Sequence, residues 1–180
     1  VALRATRGES DSQALREVAV AQGNVALERR RRPEYNQTTF DAYPALSRRA
    51  LKQGKPLTIV WPETALTFSL ELDSNYRDEI AKALSSADAE LLAGAPRDMG
   101  ASHSVYNSVF LISPQGEIRA RYDKQYLVPF SEYYPFGSDD LVHRRAQGLQ
   151  VFSPGESDAA LLDTRLGRAG VLICNEAMLP

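Results

Sequence analysis

The chain has 180 residues, of which 43% are hydrophobic and 24% are charged, a composition typical of one globular domain and unlike that of disordered or low-complexity segments. Its formal net charge of −2 gives no electrostatic footprint for nucleic acid, and the basic run at residues 29–32 is too short to change that. No stretch approaches the roughly 20 apolar residues that a membrane-spanning helix needs. The small net charge and the short basic run therefore predict no nucleic acid partner.

The two ends of the chain and its single cysteine set further limits. The chain begins with Val1 and stops at Pro180, soon after Cys174. We expect a piece cut at both ends, in which residues 1–180 form the N-terminal and central part of one domain that is incomplete at its C-terminus. One cysteine excludes an internal disulfide, and composition alone favours a buried thiol over a reactive one.

The first half of the chain alternates predicted strands and helices. A short apolar run at residues 18–22 predicts a buried strand, and apolar residues at helical spacing predict an amphipathic helix over residues 38–53. The β-branched run at residues 57–61 is typical of a strand buried on both faces. A second helix is expected to begin near Asp73 or Ser74, either of which could be its N-cap.

The second half is predicted to consist mainly of strands. Residues 91–94 give one strand, and two extended runs at residues 106–112 and 117–122, joined by a turn, indicate a β-hairpin. Two more strands are expected at residues 160–163 and 170–173. Together the elements predict the α/β class, with a mixed sheet and helices on at least one of its faces.

Cys174 follows the apolar run at residues 171–173, so we expect it where a strand ends and the chain turns sharply. Such a turn projects a side chain out of the sheet and directs backbone N–H groups toward a developing oxyanion, which suits a nucleophile. Taken alone the position is weak evidence, because a small buried cysteine would fit it as well.

Glu63 also lies just past a predicted buried strand, after Trp61 and Pro62, where open α/β sheets bind ligands. A carboxylate that loses solvation there becomes able to take a proton from a thiol. The alternative is a solvated glutamate that caps the following helix, and the residues alone leave the two interpretations equally plausible.

Lys124 lies at the end of the hairpin's second strand and precedes the uncharged run at residues 125–131. A buried ammonium there would stabilise a thiolate and the oxyanion of a tetrahedral intermediate, and Glu132 would keep it charged and oriented. The alternatives are a surface lysine paired with Asp123 and an ordinary loop glutamate. A base, a cation and a nucleophile at strand ends of one domain are stronger together than singly.

Three blocks of the sequence resemble the nitrilase, or carbon–nitrogen hydrolase, superfamily, whose members carry Glu, Lys and Cys in this chain order. They are Trp-Pro-Glu-Thr at residues 61–64, the block at residues 122–135 with Tyr-Asp-Lys and Leu-Val-Pro-Phe-Ser-Glu-Tyr, and Ile-Cys-Asn-Glu at residues 173–176. Within the superfamily they are most similar to the apolipoprotein N-acyltransferase family. Residues 21–24 and 106–108 are weaker matches to the same family.

The resemblance implies a nitrilase-like α-β-β-α sandwich with mixed sheets, ending here after the nucleophile strand, and upstream membrane helices that this chain does not contain. It implies an acyltransferase in which Cys174, with Glu63 as base, takes a fatty acyl chain from a phospholipid. The acyl chain then passes from the cysteine thioester to the N-terminal diacylglyceryl-cysteine of an apolipoprotein. The expected location is the bacterial inner membrane, with the catalytic domain facing the periplasm.

The resemblance also implies roles for four further residues. Lys124 and Glu132 would stabilise the oxyanion in both steps, and Glu176 and Tyr133 would support the pocket. No metal or organic cofactor is implied.

Three positions depart from the family's pattern. Asn175 stands where the family usually has Tyr, Ser131 where it usually has Gly, and the basic run at residues 29–32 where an aromatic residue is common. These departures leave the thiol chemistry unchanged and bear on lipid specificity. Two alternatives stay open: a soluble nitrilase-superfamily amidase or nitrilase in which water attacks the same thioester, and an inert scaffold whose motifs are packing residues.

Overall fold

The computed structural model describes residues 17–26, 32–100, 104–135, 151–156 and 161–179. Within these ranges the elements follow in the order β1 (Val18–Val20), α1 (Asn36–Gln53), β2 (Thr58–Val60), α2 (Ser74–Leu84), β3 (Glu90–Asp98), β4 (Val105–Ile112), β5 (Ile118–Asp123), β6 (Leu161–Thr164) and β7 (Gly167–Gly170). Two 3₁₀ helices accompany them, Pro33–Tyr35 and Cys174–Met178. Residues 29–31 of the basic run, Ala160 and both chain ends lie outside the described residues.

Five strands form one mixed sheet in the order β1-β2-β3-β4-β5. β1, β2 and β3 run parallel, so each step needs a crossover connection, and α1 and α2 lie in the two crossovers. β4 and β5 continue the sheet in antiparallel order. The predicted α/β class with a mixed sheet is confirmed, and so are both predicted helices, with Asp73 as the N-cap of α2.

The helices pack on one face of this sheet and bury the larger hydrophobic core. Alternate strand residues such as Ile59, Leu91 and Phe110 contribute to it, because neighbouring residues in a strand point to opposite faces. The helices supply Phe40, Tyr43, Ile80 and Leu84. Burial of these apolar side chains is the main contribution that holds helices and sheet together.

The opposite face of the sheet carries a smaller apolar cluster of Val60, Leu92, Leu111 and Leu162. Leu162 belongs to β6, which pairs with β7 as a two-stranded sheet. Glu90 fastens this hairpin to the large sheet, since its Oε1 accepts hydrogen bonds from Thr58 Oγ1 at 2.9 Å and from the Arg165 N–H at 2.7 Å. The described residues thus form successive helix, sheet and sheet layers, which are three of the four layers of the predicted sandwich.

The strand predicted at residues 170–173 is wrong, because β7 already ends at Gly170. Of the apolar residues in this run, Ile173 is buried at 2% exposure, whereas Leu172 is 53% exposed. The Ile173 N–H donates to the side chain of Glu176 at 2.8 Å, so it does not pair with a neighbouring strand. Cys174 therefore lies in a turn that is closed by the hydrogen bond from the Ile173 N–H to the Glu176 side chain.

β3 is longer than the predicted strand at residues 91–94. It continues past Gly94 and Pro96 to Asp98, although both residue types are common strand breakers. Pro96 is paired with Asn107 of β4 within the antiparallel ladder. The extra length carries β3 to the end of the sheet where the candidate site lies.

Candidate active site

Glu63 lies in a turn after β2 and is half-buried. The turn can pass this close to β3 because Gly94 has no side chain: a Cβ there would lie 2.4 Å from the carbonyl oxygen of Pro62 and 2.8 Å from the Cα of Glu63. Glu63 Oε1 accepts a hydrogen bond from Asn107 Nδ2 at 2.8 Å. The capping alternative is wrong, since α2 begins later in the chain and Asp73 caps it.

Lys124 follows the last residue of β5 and is 1% exposed. Its Nζ donates to Glu132 Oε2 at 2.7 Å. Its backbone is held on both sides at 2.8 Å, with its N–H donating to the Asn107 carbonyl and its carbonyl accepting from the Gly155 N–H. The alternative of a surface lysine paired with Asp123 is wrong, because this ammonium is buried and its partner is Glu132.

Glu132 connects the lysine to a wider hydrogen-bonded system. Its Oε2 also accepts from the Val128 N–H at 2.8 Å, and its Oε1 accepts from Asn107 Nδ2 at 3.0 Å. The two N–H bonds of one amide group serve Glu132 and Glu63 at once. We call Lys124, Glu132, Asn107 and Glu63 the Asn107 network, in which two carboxylates and one buried cation share a single connected system.

Asn107 is the member of this network that the sequence does not single out. It lies in β4 and is 5% exposed, on the face of the strand that also carries Val109 and Leu111. The available signal is a polar amide inside a strand that is otherwise rich in apolar residues, because a buried amide must find hydrogen-bond partners. That signal predicts partners without saying which ones.

Cys174 is exposed and is the first residue of the 3₁₀ helix that follows β7. Its φ of +54° lies in the left-handed region, which costs a residue with a side chain roughly 1–3 kcal/mol. Thr64, next to Glu63, and Phe130, close to Glu132, share this conformation with φ of +51° and +63°. The alternative of a buried thiol is wrong, and sharp backbone turns accompany three of the predicted site residues.

Glu176 fastens the Cys174 turn to the segment after Lys124, and the glutamate is 2% exposed. Its carboxylate accepts four hydrogen bonds: Oε1 from Tyr122 OH at 2.9 Å, Gln125 N–H at 2.8 Å and Tyr126 N–H at 3.1 Å, and Oε2 from Ile173 N–H at 2.8 Å. Burial, and next the hydrogen bond to Glu176, raise the pKa of Tyr122, so its phenol stays a donor at neutral pH.

Two more hydrogen bonds hold the segment after Lys124 in place. Asn175, which follows the cysteine, donates from Nδ2 to the Tyr126 carbonyl oxygen at 3.1 Å. The carbonyl of Tyr133 accepts from the Phe130 N–H at 2.8 Å and closes the turn that carries the second carboxylate. Tyr133 is thus a neighbour of the site through its backbone, and the supporting role of its side chain stays a prediction.

Asn107 joins the side chains of Glu63 and Glu132, and Glu132 pairs directly with Lys124. Glu176 ties the turn that holds Cys174 to the segment after Lys124 through the backbone N–H groups of Ile173 and Gln125. Carboxylates that accept protons, a buried ammonium and an exposed thiol on a sharp turn are the groups that acyl transfer through a thioester requires. Among the described residues, no cluster of His, Cys, Asp and Glu could hold a metal ion. Within the same ranges, neither helix is long and apolar enough to span a membrane.

Comparison with known proteins identifies the class. The sequence profile of the carbon-nitrogen hydrolase family matches residues 17–180, so the chain belongs to this family. Solved structures support the fold: a carbon-nitrogen hydrolase from Helicobacter pylori is 18% identical with a TM-score of 0.59, covering 87% of this chain and 50% of its own. Nit3 of Saccharomyces cerevisiae, in the nitrilase superfamily, is 18% identical with a TM-score of 0.56, covering 81% of this chain and 52% of its own.

The curated relatives are more specific. An apolipoprotein N-acyltransferase from Geobacter metallireducens is 36% identical over 166 residues, 91% of this chain and 32% of the relative. Proteins of the same name from Brucella suis and Pseudomonas aeruginosa are 36% and 31% identical, over 91% and 95% of this chain. The chain therefore spans about a third of the length of these relatives, 32% in the first case.

Proposed function

We propose that this chain carries the active site of an acyltransferase that moves a fatty acyl chain from a phospholipid to the N-terminal diacylglyceryl-cysteine of an apolipoprotein. The observation that carries the proposal is the Asn107 network, in which Asn107 and Glu132 connect the candidate base to a buried ammonium, while Glu176 ties the turn of the exposed cysteine to the segment after that ammonium. The similarity to apolipoprotein N-acyltransferases supports the choice of substrates.

In the proposed first step, Glu63 takes the thiol proton of Cys174 and the thiolate attacks the carbonyl carbon of the phospholipid ester. The carbon–sulfur bond forms, and the ammonium of Lys124 stabilises the oxyanion while Glu132 keeps that ammonium charged. The ester carbon–oxygen bond then breaks. The lysophospholipid leaves with the proton that Glu63 held, and the acyl chain stays on the cysteine as a thioester.

In the proposed second step, the α-amino group of the acceptor attacks the same carbonyl carbon. Glu63 takes a proton from the attacking amine, and Lys124 again stabilises the oxyanion. As the carbon–sulfur bond breaks, the departing thiolate of Cys174 takes that proton back from Glu63. The products are an amide on the acceptor and the free thiol, so the enzyme returns to its starting state.

We also propose a setting for this chemistry. The phospholipid donor and the apolipoprotein acceptor would meet the catalytic domain on the periplasmic side of the bacterial inner membrane, through membrane segments outside the described residues. The residues of the Asn107 network and Cys174 do this chemistry without a metal or organic cofactor.

The second candidate is an amidase, in which water attacks the thioester. A mutant of an amidase from Nesterenkonia sp. shares the fold, with 18% identity and a TM-score of 0.56 over 87% of this chain and 54% of its own, and its active-site cysteine carries the acetamide moiety of fluoroacetamide. Both candidates use the same Glu, Lys and Cys. They differ in the second nucleophile.

The test uses the full-length protein in vesicles of phosphatidylethanolamine with a labelled acyl chain. The proposal predicts a label on the protein that hydroxylamine removes, because hydroxylamine cleaves a thioester. A synthetic diacylglyceryl-cysteine peptide with a free amino group should then take the label as a hydroxylamine-resistant amide. The same peptide with an acetylated amino group is the matched control and should stay unlabelled.

A parallel assay offers a short aliphatic amide and measures ammonia. Ammonia release by the parent and not by its Cys174→Ser variant, together with an unlabelled peptide, would support the amidase and overturn the transferase. A label that reaches water as free fatty acid at the same rate with and without the peptide would also contradict transfer to an amine.

A further inference from the structure

A second buried ion pair lies behind Lys124, and the proposed chemistry does not use it. Arg97 is 6% exposed, and its Nε and Nη2 donate to Asp123 Oδ1 and Oδ2 at 3.0 and 2.6 Å. Ser108 Oγ donates to Asp123 Oδ1 at 2.5 Å. We call Arg97, Asp123 and Ser108 the Arg97 cluster. Two parallel N–H bonds to one carboxylate fix the direction of the pair as well as its distance.

The Arg97 cluster spans three strands. In the register of the sheet, Arg97 of β3 lies opposite Tyr106 of β4, and Ser108 of β4 lies opposite Asp123 of β5. The guanidinium therefore crosses β4, and it lies over the Tyr106 ring at 4.1 Å from the ring centroid. The cluster fixes the three strands relative to one another at the point where β5 ends.

The end of β5 is also where the candidate cation begins. Asp123 and Lys124 are neighbours, and neighbouring residues in an extended chain point to opposite sides. Gly155 packs against the same peptide, because a Cβ there would lie 2.3 Å from the Asp123 carbonyl oxygen. Arg97 thus holds the strand end from one side while the lysine extends to Glu132 on the other.

Stability alone is a poor explanation for this pair. Desolvation of two charges offsets much of their attraction, so apolar residues of similar size often stabilise a fold as well or better. What an ion pair with a forked geometry adds is a defined position for the backbone that carries it. Here that backbone leads directly into Lys124.

We propose that Arg97 and Asp123 are positioning residues that set the strand end from which the Lys124 ammonium reaches the thiolate and the oxyanion. The inference rests on the proposed function, in which Lys124 provides that electrostatic stabilisation. Neither Arg97 nor Asp123 contacts substrate in this role, and both act through the backbone of their neighbour.

The test compares variants of the full-length protein: Arg97→Met, Asp123→Leu, the two together, and the isosteric Asp123→Asn. Stability is followed by urea unfolding. The rate of Cys174 alkylation by iodoacetamide is measured against pH, since only the thiolate reacts. Thioester formation from labelled phosphatidylethanolamine vesicles is the third measurement, and Lys124→Met is the reference for complete loss of the cation.

Each single variant should lower the urea midpoint, because it leaves one buried charge unpaired. The double variant should recover the midpoint, yet its thioester rate should stay about 10-fold or more below that of the parent. Its alkylation profile should move to higher pH, toward that of Lys124→Met, because a displaced ammonium stabilises the thiolate less. A double variant with the parent's rate and pH profile would overturn the proposal.

Two further comparisons make the outcome decisive. If the double variant does not recover the midpoint, Asp123→Asn decides, because it keeps the shape of the side chain; an unchanged pH profile and rate then refute the positioning role. The matched control is Arg121→Met, which removes the exposed ion pair between Arg121, in the same strand, and Glu71, and it should change neither the pH profile of alkylation nor the thioester rate. If Lys124→Met itself changes nothing, the proposed function fails; if only Lys124→Met has an effect, this inference alone fails.

Discussion

The helix-facing core and the candidate site are buried in different ways. In the core, Phe40 packs edge-on against Trp61 and Tyr76, with ring centroids 6.3 and 4.8 Å apart. In the site, Lys124 and Glu176 are buried to a similar degree, but each lies among hydrogen-bond partners. Apolar contacts are non-directional, whereas a buried polar group is costly unless every partner is in place.

This difference predicts that stability and activity separate. A cavity in the core costs stability, since the surrounding side chains relax only partly, while it leaves the strand ends where they are. A missing donor or acceptor in the site removes a defined contact to a reacting group. Substitutions in the two regions should therefore change different measurements.

The largest expected effect is that of Cys174→Ser. The hydroxyl is a far weaker nucleophile, so labelling from phosphatidylethanolamine vesicles should fall by at least ~1,000-fold. The free energy of unfolding should change by less than about 0.5 kcal/mol, because the side chain is exposed. A variant that is labelled as strongly as the parent would show that another residue is the nucleophile.

A cavity in the core gives the opposite pattern. Phe40 is 1% exposed, and Phe40→Ala should lower the free energy of unfolding by about 3–5 kcal/mol in urea denaturation. The thioester rate per folded molecule should stay that of the parent. Leu72→Ala is the matched control, since Leu72 is 69% exposed and its truncation should cost less than about 0.5 kcal/mol. A lower rate in folded Phe40→Ala would mean that core and site are coupled.

Asn107→Ala should affect both measurements at an intermediate level. Glu63 and Glu132 both lose a hydrogen-bond donor, a loss worth about 2 kcal/mol that corresponds to a thioester rate ~30-fold lower. Ser113→Ala removes a buried hydroxyl beyond the other end of β4 and serves as control. An equal loss of thioester rate in Asn107→Ala and Ser113→Ala would argue against a specific role for Asn107.

The periodic elements could be predicted from the sequence because their signals are local. Apolar residues at helical spacing gave α1 and α2, and the apolar runs located β2 and the β4–β5 hairpin. Glu63 and Lys124 were expected just past predicted strands, and they follow β2 and β5. Each of these signals lies within a few neighbouring residues.

The unpredicted features depend on contacts between residues that are distant in the chain. Asn107 reaches Glu63 across 44 positions and Glu132 across 25, and no periodicity indicates such partners. The strand predicted at residues 170–173 failed for a different, local reason: the Ile173 N–H donates to the carboxylate of Glu176, three residues later, instead of to a neighbouring strand. Polar satisfaction, more than apolar pattern, determines the geometry of this end of the sheet.

The smallest expected effect concerns one hydrogen bond at the edge of the site, from Tyr122 to Glu176. Tyr122 is 3% exposed, and Tyr122→Phe removes its donor to Glu176, which should cost about 1–2 kcal/mol at pH 7. Burial raises the pKa of Tyr122 above its ordinary value of 10.0, so the unfolded chain loses the phenol proton first as pH rises. The free energy of unfolding of the parent therefore exceeds that of Tyr122→Phe by the full amount below pH 10, and this difference declines above pH 10. Urea unfolding of both proteins at pH 7 and near pH 11 measures this; an equal difference at the two pH values would mean that Glu176 does not depend on the Tyr122 proton.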